Sequence, residues 1–240
     1  MRATDFEFRN RFWLIGLIFA AGYGCYIFDP VNAVVALAQL SGVDPNSSAA
    51  SIAFHSIFGF GALLVAAAAL LRTWATAYLD NSVVQAPGLR TERLVADGPY
   101  RYVRNPLYLG TLLMTFGIAF MASRTGWFVL MILMPIFQYR LIAREEDGLL
   151  REQGEGYRAY VAAVPRLLPS LTPRAPSSGL EPRWKQAWFA EAFFFWAFAA
   201  ATAVFAATLD IRWSAAVSAI CWLIYLTIAA PWKRIAEPKR

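Results

Sequence analysis

Six apolar runs separated by short polar connections constrain this chain more than any other feature. Hydrophobic residues make up 58% of the 240 positions and charged residues only 16%. A soluble domain averages roughly 45–50% apolar and about 25% charged. The excess lies in the runs Phe12–Phe28, Ala49–Leu71, Pro106–Ala122, Trp127–Ala143, Ala187–Leu209 and Trp213–Pro231. A hydrocarbon layer about 30 Å thick takes roughly 20 apolar residues of helix. The pattern therefore predicts an all-α fold, a polytopic membrane protein of about six transmembrane helices. Only Ser123-Arg124-Thr125-Gly126 joins the third and fourth runs, which predicts a tight helical hairpin. The first run exceeds the roughly 7–15 apolar residues of a signal peptide, and Asp29-Pro30-Val31-Asn32 is not a small-residue cleavage site, so it reads as a retained helix.

Orientation follows from the basic residues, because Lys and Arg collect on the cytoplasmic side. Of the 22 basic residues, 20 lie near the two termini or in the 72–105 and 140–186 connections; Arg124 and Arg212 alone fall on the other side. Both termini and both long connections are thus predicted to be cytoplasmic. The net charge of +6 is accounted for by topology and by attraction to anionic lipid, not by a nucleic-acid footprint. Cys25 and Cys221 both fall inside predicted spans, which excludes a disulfide scaffold, and no spacing suggests a metal site. The single histidine, His55, is expected to hydrogen-bond to a neighbouring helix, and Glu191 to pair with Arg183 or Lys185.

Residues 29–48 read as an outer loop with an apolar middle, and Asn81 to Gly88 as a turn-rich loop. Pro106 fits the first turn of the third helix, where its missing N–H costs nothing. Glu145, Glu146, Leu149, Leu150 and Tyr157 continue the helical period beyond the fourth span until Gly154 and Gly156 loosen it. Pro165 to Pro182 is rich in Pro, Ser and Gly. The division is a core over residues 1–170, a linker over 171–186 and a terminal helical hairpin over 187–240.

Two cytoplasmic segments carry the chemistry. The first is Leu94-Val95-Ala96-Asp97-Gly98-Pro99-Tyr100-Arg101-Tyr102-Val103-Arg104-Asn105-Pro106-Leu107-Tyr108-Leu109-Gly110. The second is Arg144-Glu145-Glu146, followed by Tyr157, Tyr160 and Val164-Pro165-Arg166. Ionisable groups beside hydrocarbon are costly and mark function by default. Arg101 and Arg104 suit carboxylates, and Asn105 both donates and accepts. Tyr100, Tyr102 and Tyr108 offer flat faces and hydroxyls. Gly98 and Gly110 permit close backbone approach, and Glu145 and Glu146 offer anionic oxygens to an ammonium. The set fits a ligand with an amino-acid end, a purine and a cationic centre. S-adenosylmethionine has all three. Against this stand plainer readings: Arg101 and Arg104 as positive-inside anchors, Glu145 and Glu146 as a helix end paired with Arg140 and Arg144 at helical spacing, and Tyr157 and Tyr160 as packing.

Arg104-Asn105-Pro106-Leu107-Tyr108-Leu109-Gly110 resembles the Arg-His-Pro-x-Tyr-x-Gly motif of the isoprenylcysteine carboxyl methyltransferase family and its bacterial and phospholipid-methylating relatives. The second segment resembles that family's Glu-Glu-x-x-Leu, Gly-x-x-Tyr-x-x-Tyr and Val-Pro element, and the likeness covers about Arg72–Pro169. It implies an integral membrane methyltransferase with S-adenosylmethionine bound at a cytoplasmic site. Leu94, Val95, Tyr100, Asn105, Pro106, Leu107, Tyr108, Gly110 and Glu145 are the implied cofactor contacts. Arg104 and Glu146 are the candidate catalytic groups. Arg140 and Arg144 are the candidate substrate residues, flanking Leu141 where eukaryotic members place an arginine. Asn105 departs from the usual histidine and cannot become a cation or a general base. The expected acceptor is a lipid or small apolar molecule from the bilayer, with carboxylate, amine and thiol all open. Two competing readings are an NADPH-dependent membrane reductase of the sterol-reductase type and a non-catalytic protein that keeps the scaffold.

Overall fold

The structure, a computed structural model, describes residues 2–79, 96–188 and 193–229. Those residues form helices and connections with no strand. In chain order the helices are α1 (Asp5–Arg9), α2 (Arg11–Gly24), α3 (Ala33–Leu40), α4 (Ser48–Ala77), α5 (Pro106–Ala119), α6 (Arg124–Ala163), α7 (Trp184–Ala187), α8 (Phe193–Thr208) and α9 (Ile211–Ile224). Helical residues occupy each of the six apolar runs. Two helices, α4 and α6, are long and apolar enough to cross a membrane, and the other apolar helices are shorter.

Short polar side chains set where the helices begin. Thr4 and Glu7 form a reciprocal capping box at α1, and Asn32, Ser47, Ser123 and Asp210 accept from first-turn amides of α3, α4, α6 and α9. Each such cap satisfies an amide that would otherwise lack an intrahelical partner. Pro106 stands at the first position of α5, as expected.

The bundle is built on α4. Gly61 of α4 and Gly117 of α5 face each other so closely that a Cβ on either would collide with the other's carbonyl oxygen. Small residues at a crossing let helix backbones approach and gain dispersion contact, the main attraction available between helices in lipid. Val65, Ala68 and Ala69 of α4 continue this seam against Met114 and Ile118 of α5 and Ala199 of α8. Trp196 of α8 donates its indole N–H to Thr73 Oγ1 of α4 at 3.1 Å. On the other flank α2 meets α6, where Gly22 lies under Leu130 and Gly126 lies on the Gly22 carbonyl.

Several expectations are revised. The segment expected to be an outer loop contains helix α3, tied to the α5–α6 turn by the Asn32 amide on Phe120 O and Ala122 O, both at 3.1 Å. Helix α4 runs on to Ala77, six residues past the apolar run. Gly154, at φ 56°, breaks α6, yet the helix resumes and reaches Ala163. The backbone there needs the left-handed region that glycine enters without penalty. His55 Nδ1 lies 2.8 Å from Ser51 O of its own helix, not against a neighbour. Asn81 to Gly88 and Glu191 lie outside the described residues.

Candidate functional site

The site is assembled where α4, the 96–105 segment, the first turn of α5 and the polar half of α6 converge. Its first anchor is Arg72. The guanidinium donates to Leu107 O at 2.7 Å and to Thr111 Oγ1 at 3.0 Å, which fastens the start of α5 to α4. Gly110 fits because a Cβ there would strike the aliphatic stem of Arg72. The ring of Phe195 from α8 lies 4.2 Å from the Arg72 guanidinium carbon, a cation–π contact.

The start of α5 then presents Tyr108 to α6. The Tyr108 hydroxyl donates to Glu145 Oε2 at 2.7 Å. One helical position on, Glu146 points to a different set of partners and is only 4% exposed. Its Oε1 accepts from Arg104 Nε at 3.0 Å and from the Asn105 amide at 2.9 Å. Its Oε2 accepts from Arg166 Nε at 2.9 Å. Arg104 also donates to Val161 O at 2.6 Å and Val164 O at 2.8 Å. The Asn105 amide reaches Arg166 O at 3.2 Å. A buried carboxylate in an apolar setting persists charged only when paired and hydrogen-bonded this fully. Glu146 is therefore the node that joins the first motif, α6 and the Val164-Pro165-Arg166 element.

Tyrosines close the same node. Tyr157 and Tyr160 are buried together with Val164, and the Tyr160 hydroxyl donates to Tyr100 O at 2.7 Å. Tyr100 is itself buried, in a 3-10 turn at Gly98–Arg101. Gly98 has φ +57°, and a Cβ there would strike the Tyr78 ring.

The Pro/Ser/Gly-rich stretch wraps over this turn as a strap. Ser170 N–H donates to Tyr102 O and Arg174 N–H to Arg101 O, at 3.0 and 2.8 Å. Arg101 Nε returns a bond to Ala175 O at 2.9 Å. Asp97 accepts from the hydroxyls of Ser177 and Ser178 and from the amides of Ser178 and Leu180. Burial opposes the Asp97 charge, but these hydrogen bonds outweigh it and hold the carboxyl below its ordinary value.

The residues proposed from the sequence thus divide. Tyr108 and Glu145 are brought into contact. Asn105, Arg104 and Glu146 form the buried node, and Pro106 and Gly110 are buried in α5. Arg140 and Arg144 turn instead to the N-terminal segment: Arg140 bonds both Glu7 oxygens, at 2.9 and 2.7 Å, and Arg144 pairs with Asp5 and with Ala3 O. The helical-spacing pairing of Glu145 and Glu146 with these arginines does not form. Leu94 and Val95 lie outside the described residues. Arg72, Asp97 and Arg166, which lie within the quoted segments or the resembling stretch but were given no role there, also hold the site together.

The sequence profile of the phospholipid methyltransferase family matches residues 56–153, which take in Arg72, the whole first motif and both glutamates. This stretch is similar to the phospholipid methyltransferase family. That family falls within the isoprenylcysteine carboxyl methyltransferase-like group of membrane methyltransferases, the group the two motifs resemble. Among curated proteins, the chain is 28% identical over 112 residues to the cobalt-zinc-cadmium resistance protein CzcN of Cupriavidus metallidurans, covering 47% of this chain and 49% of that one. It is 27% identical over 112 residues to the nickel-cobalt-cadmium resistance protein NccN of Alcaligenes xylosoxydans xylosoxydans, with the same coverage. The chain therefore spans about half the length of the curated relatives it matches. No solved structure matches it.

Proposed function

We propose that the protein is an integral membrane methyltransferase that takes its methyl group from S-adenosylmethionine and passes it to a lipid-like or small apolar acceptor. In this reading six helices span the bilayer, both termini face the cytoplasm, and the donor enters from that side. The observation that carries the proposal is the Tyr108–Glu145 contact at 2.7 Å, which joins the two motifs inside a stretch that matches a methyltransferase family. Neither the family nor the relatives point to an NADPH-dependent reductase.

The donor set fits the cofactor. Glu145 offers a carboxylate to an ammonium group, and the Tyr108 hydroxyl orients that carboxylate. The Tyr160 hydroxyl holds the Tyr100 carbonyl and so fixes the turn that precedes the first motif. When bound, S-adenosylmethionine supplies an electrophilic methyl on sulfur and leaves as a neutral thioether. We infer that Arg104, Asn105 and Glu146 act by positioning. Their polar groups are spent on one another, so they fix the first motif against α6 rather than touch the reacting atoms. Holding two reactants in line removes much of the entropic barrier to such a displacement. Carboxylate, amine and thiol acceptors all remain compatible with this arrangement. An amine would first have to give up a proton. The metal resistance named in the two relatives enters the proposal at no step.

Calorimetry of the detergent-purified chain tests the reading. Micromolar binding of S-adenosylmethionine and of its demethylated product, without binding of NADPH, is the expected result. Binding of NADPH alone would replace the methyltransferase reading with a reductase.

A further inference from the structure

Among the described residues, Arg104 and Arg166 meet at the Glu146 node, and Arg140 and Arg144 lie earlier on α6. Arg140 and Arg144 are matched by Glu7 and Asp5. Arg104 is 7% exposed and divides its donors between Glu146 and two carbonyls. Arg166 differs. It shares the single negative charge of Glu146 with Arg104, so this triad keeps one positive charge in excess. Of the two cations, Arg166 is the accessible one, at 38% exposure.

Arg166 also reaches outward. Its Nη1 donates to the Tyr139 hydroxyl at 2.8 Å, and its guanidinium carbon lies 5.3 Å from the centre of the Tyr139 ring. Tyr139 is 48% exposed and ends an outward stripe of α6. Ile132 and Ile136 precede it at helical spacing on that stripe, and both are more than half exposed. An apolar track on α6 thus ends at an aromatic hydroxyl and at a guanidinium that shares its only carboxylate with Arg104. Tyrosine and arginine at this level are what a lipid headgroup meets, and a guanidinium fork matches the paired oxygens of a phosphate or carboxylate.

We propose that Arg166 and Tyr139 dock the anionic headgroup, phosphate or carboxylate, of a bilayer lipid whose chain lies along Ile132 and Ile136. Only the statement that this lipid is the methyl acceptor depends on the function proposed above. The site sets specificity: it favours acceptors whose headgroup carries an anionic oxygen, and it holds that headgroup beside the node that fixes the first motif.

Native mass spectrometry of the full chain, titrated with dioleoyl phosphatidylglycerol and with dioleoylglycerol, reads the docking directly. The wild-type chain is expected to retain the phosphatidylglycerol and not the diacylglycerol. Arg166→Gln is expected to weaken phosphatidylglycerol roughly tenfold, the scale of one lost charge-assisted contact, with Arg166→Lys recovering part of it. Tyr139→Leu leaves the Arg166–Glu146 pair in place and is expected to weaken it as well. Equal retention of the two lipids by the wild-type chain, or undiminished phosphatidylglycerol binding in Arg166→Gln, would overturn the proposal. Should Arg166→Gln fail to fold, an unchanged Tyr139→Leu would overturn it equally. Competition by millimolar inorganic phosphate as strong as that by the lipid would also overturn it, by assigning the site to free anions. S-adenosylmethionine binding is measured on the same samples. Its absence from the wild-type chain refutes the methyltransferase reading and leaves the lipid result standing.

Discussion

Tyr108 and Glu145 lie 37 residues apart in sequence and share a 2.7 Å hydrogen bond between the first turn of α5 and the middle of α6. That contact is one of several that bring the two polar motifs to one place. Glu146, next along the chain, faces a separate buried network, so two adjacent carboxylates have different tasks.

The first prediction follows from that division. Glu145→Ala and Tyr108→Ala should each cost cofactor affinity while the protein keeps its fold. A loss of about tenfold or more is expected, on the scale of a charge-assisted hydrogen bond of roughly 1.5–3 kcal/mol. Calorimetry paired with thermal unfolding separates the two quantities. Wild-type affinity in either well-folded variant would refute the site.

Glu146→Ala should behave in the opposite way. It leaves Arg104 and Arg166 without their shared carboxylate, and breaking a buried ion pair on one side costs about 3–5 kcal/mol. A sharp fall in the unfolding midpoint in detergent is expected, with loss of cofactor binding as its consequence. A stable Glu146→Ala protein that binds cofactor normally would show that the node does not organise the motif.

Gly98→Ala tests the turn before Tyr100. At φ +57° a side chain is strained, and here the new methyl would also strike the Tyr78 ring. Backbone strain of about 1–3 kcal/mol is expected before any repacking. The unfolding midpoint should drop, whereas Gly16→Ala, where the space is open, should leave it near wild type.

The strap should respond to pH through Asp97. Its carboxyl titrates below the ordinary value, so its contribution is complete above the unfolded-state value and disappears as pH falls through the lower folded one. Cleavage of the 165–182 segment by pepsin should therefore rise steeply only in strongly acid solution. Asp97→Asn should make the same segment susceptible to trypsin, at Arg174, at neutral pH. A strap equally protected in Asp97→Asn would sink this account.

What the sequence disclosed and what it withheld have a common physical cause. Apolar runs, Pro106 at a helix start and the Tyr108 and Glu145 motif positions are local signals, and helices form from local contacts. The pairing of Arg140 with Glu7 spans 133 residues and that of Arg104 with Glu146 spans 42, and no periodicity encodes either. The Pro- and Ser-rich composition of 165–182 reads as a spacer because its hydrogen bonds run to Asp97, Arg101 and Tyr102 rather than within itself. Arg166 was legible only as part of the Val164-Pro165-Arg166 element for the same reason: its partners Glu146 and Tyr139 lie 20 and 27 residues away.

The strap also sets an order of events during synthesis. Asp97 and the turn at Tyr100 are made early, but their partners at Ser170 to Leu180 emerge from the ribosome some 70 to 80 residues later. On the proposed membrane reading, a nascent chain halted after its fourth apolar run would be seated in the bilayer with the turn at Tyr100 still uncovered. The strap arrives only with the stretch that follows, so insertion and completion of the candidate site are separate milestones in the life of this polypeptide.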